Sequence, residues 1–156
     1  MVFADVPEII FSNKQNIPWN DVEQYLKKFI GQEFRVKESG DVIHIGGDFP
    51  DEYTESKYTK KLRGALAKAK ANAGQVISAM LENAENRRWV ENKDSKHDKE
   101  ASGGWYRYDV GFTIPVESNG ESRKNAYVGT AVVRIKGDKL YLYDIINIKK
   151  EASTPL

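Results

Sequence analysis

Trp105-Tyr106-Arg107-Tyr108-Asp109-Val110-Gly111-Phe112-Thr113-Ile114-Pro115-Val116 is the stretch on which the fold turns. Tyr106, Tyr108, Val110, Phe112 and Ile114 recur at every second position. Trp105, Arg107, Asp109, Gly111 and Thr113 fill the places between. A period of two belongs to a strand, because successive side chains leave opposite faces of the pleat. Two more such runs follow. Ala126–Lys136 comes after a turn near Ser118-Asn119-Gly120 and a loop to Asn125. Leu140–Lys149 comes after the tight turn Gly137-Asp138. The pattern predicts an antiparallel meander that ends near Lys149, with Ser153–Leu156 as a frayed tail.

Upstream of it the periodicity is helical. Val22, Tyr25, Leu26, Phe29 and Ile30 share one face of a short helix. Asn20 and Glu23 have capping-box spacing, and Gly31 supplies the stop. Phe34–Val36 and Val42–Ile45 read as a hairpin turning at Ser39-Gly40-Asp41, and Gly46–Ser56 as an acidic loop. A helical region is expected from about Lys57 to Val90, with a break at Asn72–Gly74. Val6–Phe11 reads as an extended arm or edge strand. The fold class is α+β: N-terminal helices with a small hairpin, then a C-terminal antiparallel meander sheet. Residues 1–156 form one domain, with 1–50 a candidate small N-terminal lobe and 57–150 the helix-plus-sheet core.

Bulk properties bound the function. The 156 residues are 40% hydrophobic and 30% charged, a soluble globular composition. Against 23 acids stand 24 bases, so a nucleic-acid role needs a local patch. Cysteine is absent, which removes disulfides, thiolate metal sites and a cysteine nucleophile. The two histidines lack metal-ligand spacing, so neither metal nor cofactor is expected. No membrane span or leader is legible, and cytoplasmic action is the expectation.

Alternation places Arg107, Asp109, Thr113, Thr130, Arg134, Tyr143, Ile145, Asn147 and Lys149 on the face opposite the core, with Asp144 intruding among inward residues. Arginines, a lysine, hydroxyls and an amide on one face suit a phosphodiester. Trp105 beside Arg107 can stack a base. The preceding loop carries Lys96 and His97, and His97 titrates near neutrality. Water on one face of an antiparallel sheet accounts for the same residues. The basic run Lys57, Lys60, Lys61, Arg63, Lys68, Lys70 suits an RNA backbone or the wet side of a helix.

Lys96-His97, Gly104–Tyr108 and Leu140–Glu151, together with Asp48–Tyr53 and the Ala/Lys helix, carry a resemblance. They resemble C-terminal domains of large polyvalent phage and mobile-element proteins, grouped with the barnase–EndoU–colicin–RelE-like nucleases. The resemblance implies a metal-independent endoribonuclease, a toxin that cleaves cytosolic RNA, with tRNA one candidate, by attack of the ribose 2′-hydroxyl. It assigns His97 as acid or base and Arg107 and Arg134 as phosphate clamps. Tyr143, Thr113 or Lys149 would orient or protonate. Lys96, Asn147 and Trp105 complete the expected substrate contacts, and an immunity protein or host protein is a further expected partner. The alternative is a non-catalytic mobile-element module that holds a host protein or a nucleic acid.

Overall fold

The computed structural model describes residues 1–12, 16–93 and 101–156. Its strands are β1 (Ala4–Asp5), β2 (Glu33–Arg35), β3 (Val42–His44), β4 (Glu85–Val90), β5 (Trp105–Ser118), β6 (Glu121–Lys136) and β7 (Lys139–Pro155). Its helices are α1 (Trp19–Leu26), α2 (Phe49–Glu55), α3 (Lys57–Lys60), α4 (Gly64–Ala73) and α5 (Ile77–Glu82). All seven strands join one sheet in the order β1-β5-β6-β7-β3-β2, with β4 also on β5. The mixed α and β content matches expectation, but the sheet is mixed. β5–β6 and β6–β7 run antiparallel, whereas β1 lies parallel to β5 and β3 parallel to β7.

Contacts between the two ends of the strand order show how far the sheet curls. The β2–β3 turn reaches β4: Arg87 Nη1 donates to Asp41 Oδ1 at 2.8 Å, and the Asn86 amide to Glu38 Oε2 at 2.8 Å. Inside the curl lies one apolar cluster. Val22, Leu26, Val36, Ile43, Ala73, Ile77, Leu81, Tyr108, Phe112, Val133 and Leu142 all belong to it. Gly74 lets α4 approach α1, because a Cβ there would stand 2.8 Å from Leu26 Cδ2. Buried Asn72 clamps the N-terminal arm, accepting from the Ile10 and Phe11 amides at 2.9 and 3.1 Å.

Several local expectations are corrected, each for a physical reason. The first helix begins at Trp19, and Asn20 is not its cap. Pro18 presets the entry, and its carbonyl accepts from the Asp21 and Val22 amides. Gly46–Ser56 is not a loop throughout, since α2 occupies most of it. Pro50 in the first turn needs no N–H, and Asp51 and Glu52 complement the helix dipole. The long helix ends at Glu82. Asn86, with a left-handed backbone (φ 57°), begins an irregular start to β4, and Arg88–Val90 pair regularly with Arg107–Trp105. The C-terminal tail is strand to Pro155, where Arg123 holds it by bonds to Ser153 Oγ (2.9 Å) and Ser153 O (3.0 Å). β7 also slips register against β6 at bulges, so Ile145 joins the core instead of facing out.

Candidate functional site

Strand register brings part of the expected face together. Trp105, Arg134 and Tyr141 form one cross-strand row; Arg88, Arg107 and Val132 form the next. Trp105 and Tyr143 meet edge to face with ring centroids 5.2 Å apart. The Arg134 guanidinium lies 5.9 Å from the ring centres of both Tyr141 and Tyr143. Arg134 itself is buried and grips Glu52 of α2 through two bonds, of 2.5 and 3.0 Å. Its cation is therefore already matched by a carboxylate. Thr113 is buried and donates to Asp5 Oδ1 at 2.6 Å. That bond, with a second from Lys124, holds the Asp5 carboxyl below its ordinary range.

The other expected residues are dispersed. Asn147 and Lys149 are exposed on β7 beyond a bulge, with Asn147 in a left-handed backbone (φ 54°). Asp109 is taken by Arg88 Nη1 and Asn86 Nδ2, at 3.0 and 2.9 Å. Arg107 differs: its Nε is buried and has no hydrogen-bond partner among the described residues. Lys96 and His97 lie outside the described residues. No group of three or more His, Cys, Asp or Glu side chains among the described residues is placed to hold a metal.

The basic run also divides. Lys70 is not on a wet face. It is fully buried, and its Nζ donates to Asp144 Oδ1 at 2.6 Å. Ser56 Oγ donates to the other carboxylate oxygen at 2.6 Å, and the Ile145 amide donates to Asp144 Oδ1 at 2.8 Å. Tyr53 Oη donates to the Lys70 carbonyl at 2.6 Å. Burial lowers the Lys70 pKa against the pull of Asp144, and burial raises that of Asp144 against the pull of Lys70. The intruding aspartate of β7 is thus one half of an interior pair. Lys70, Ser56 and the Ile145 amide together meet both carboxylate oxygens of Asp144, which is how such a pair is tolerated.

A second constellation is hidden in the sequence because a helical rhythm runs into Glu85–Val90. β4 places Trp89 opposite Tyr106, with Arg87 two residues back on the same side. The Arg87 guanidinium carbon lies 4.4 Å above the Tyr106 ring. Arg87 Nη1 also bonds both oxygens of Asp41, at 2.8 and 2.9 Å, while Tyr108 and Ser39 hydroxyls each donate to Asp41 Oδ2 at 2.7 Å. Burial pushes the Asp41 pKa up, but these donors outweigh it and leave the carboxyl below its ordinary value.

Trp89 is 58% exposed, yet its indole is fixed. Nε1 donates to the Gly103 carbonyl at 2.9 Å. Gly104 permits this seat, since it has φ +86° and a Cβ there would stand 2.8 Å from Trp89 Nε1. Among the described residues, the outer edge of β4 has no strand beside it. The sequence signal was present: Arg87, Trp89 and the aromatics of β5 alternate as paired strands do. Compared with family models, with curated proteins and with solved structures, the chain matches none.

Proposed function

We propose that the chain is a non-catalytic binding module that docks a protein partner along the β4 edge, with Trp89 as its anchor. The observation that carries this reading is a large indole, exposed but held in one orientation beside an arginine stacked on tyrosine. Trp, Tyr and Arg dominate binding energy at protein interfaces, and a pre-positioned side chain loses less entropy on docking. An open strand edge offers backbone donors and acceptors to an extended segment of the partner. Charge balance supports a protein over a polyanion. Arg87, Arg88, Arg123, Lys124 and Arg134 each face a carboxylate.

The test is retention of proteins from a host lysate after RNase treatment and a high-salt wash, for wild type, Trp89→Ala and Arg107→Ala. A partner retained by wild type and Arg107→Ala but lost with Trp89→Ala supports the reading. Salt-labile, RNase-sensitive retention refutes it, because counterion release governs phosphate contacts.

A second reading is favoured by Arg107, whose orphaned Nε asks for an acceptor that a phosphate would supply. That reading is the metal-independent endoribonuclease of phage or mobile-element type, acting on cytosolic RNA such as tRNA. His97 and Lys96 would serve it from the segment that leaves β4 and returns to β5, with Trp105, Tyr143, Asn147 and Lys149 as contacts. Cleavage of bulk tRNA by wild type, abolished in both His97→Ala and Arg107→Ala, would establish it over the binding module.

A further inference from the structure

A concavity lies away from the β4 edge, between β7 and the connection from α3 to α4. It is a recess of about 190 Å³. Leu62, Ile145, Ile146 and Ile148 give it apolar walls, and half-buried Tyr58 with exposed Lys61 and Asn147 gives it a polar rim. Lys70 also borders it, fully buried and already paired with Asp144. That cation is therefore not offered to a ligand.

Two features set what the recess would hold. The walls ask for no polar group, since the orphaned buried side-chain atoms among the described residues belong to Arg107 and Asn125, elsewhere. The rim is cationic and unneutralised. Lys61 lines it, and Lys57 lies outside the lining but near the same Tyr58 ring; their ammonium groups are 5.4 and 5.3 Å from that ring's centre, and neither has a carboxylate partner among the described residues. Neighbouring Lys60, by contrast, is matched by Glu55 at 3.7 Å. An apolar slot with the unmatched Lys61 ammonium on its rim, and a second unmatched ammonium near the Tyr58 ring, is complementary to an anion with a short hydrocarbon tail. At roughly 30 Å³ for each water-sized group, the volume takes about six such groups.

The geometry points to a binding site for a short-chain monocarboxylate. Its tail lies against Leu62, Ile146 and Ile148, and its carboxylate faces Lys61, with Lys57 adding positive charge near the Tyr58 ring. The tail leaves water for apolar contact, and the charged head keeps partial hydration at the rim, so neither end is stranded. This site is independent of the β4 edge, and neither depends on the other.

The experiment is a titration of isotope-labelled protein with hexanoate, followed by amide chemical shifts. Hexanamide serves as the neutral isostere and hexylammonium as the opposite charge. Saturable shifts are expected at Leu62, Ile146 and Ile148, with none at Trp89. Hexanoate should bind about tenfold more tightly than hexanamide, the worth of one charge-assisted contact. Hexylammonium should not bind. In the Lys57→Gln/Lys61→Gln double variant, which changes only exposed side chains, that preference should vanish while the melting curve stays put. Leu62→Trp should fill the slot and abolish both complexes; if it does not fold, the lysine variant decides. Absence of saturable shifts in the recess overturns the proposal. So does equal affinity for hexanoate and hexanamide, or a double variant that keeps the preference.

Discussion

Lys70–Asp144 and Arg87–Asp41 are ion pairs of similar length, 2.6 and 2.8 Å, in opposite surroundings. The first has no exposed surface at all. The second joins an arginine side chain 39% exposed to an aspartate 15% exposed. In the interior, desolvation of both ions offsets most of their attraction, so the pair fixes where α3 and α4 sit on β7 more than it adds stability. Nearer the surface, burial still works against the Asp41 charge, but its donors outweigh it and water reaches the Arg87 side, so the pair adds little stability of its own. There its consequence is positional: it holds Arg87 over Tyr106 beside Trp89 and ties the hairpin turn to β4. The same chemistry thus organises a core in one place and a recognition surface in the other.

The largest difference should appear on breaking each pair. Lys70→Ala strands a buried carboxylate and should cost about 3–5 kcal/mol, measured by urea unfolding. The double variant Lys70→Met/Asp144→Leu should recover most of that loss, because no ion is left without its partner. Gly104→Ala should come next, at about 1–3 kcal/mol, from strain at positive φ and displacement of the indole. A shift in tryptophan emission would accompany it. Asp41→Asn should cost about 1–2 kcal/mol, because it weakens charge-assisted bonds from Arg87, Tyr108 and Ser39 to a mostly buried carboxylate, while weakening partner retention through a loosened Arg87.

The surface latch is also the one that acid should open. The folded pKa of Asp41 lies below its ordinary value of 3.8. Its contribution is therefore complete above that value and lost as pH falls through the lower folded one. Below about pH 4, then, the melting temperature of wild type should fall more steeply than that of Asp41→Asn. The smallest stability effect belongs to Trp89→Ala, within about 0.5 kcal/mol in a thermal melt, since the indole covers little of the core. Its loss of partner binding should be the most complete of the set.

Much of this was legible because it is local. Gly137-Asp138, Asn119-Gly120 and the alternation of Trp105–Val116 announce hairpins without help from distant residues. The hairpin at Ser39–Asp41 was legible for the same reason. What stayed hidden depends on long-range partners. Lys70 looked like one more charge on a wet helix, because its partner lies 74 residues away on β7. Arg134 looked available because Glu52 comes from a helix concealed behind Pro50. The β4 strand was lost because Met80, Leu81 and Ala84 continue a helical rhythm almost to Asn86, where the left-handed backbone interrupts it. Strict alternation turns Ile145 outward because period-two counting does not see a bulge.

The most direct test is hydrogen exchange of the β4 amides, Asn86 to Val90, in wild type before and after it retains its partner from lysate, with Trp89→Ala and Arg107→Ala in parallel. The β4-edge account predicts new protection in β4 for wild type and Arg107→Ala, and none for Trp89→Ala. Protection that survives Trp89→Ala, or that disappears with Arg107→Ala, would contradict it.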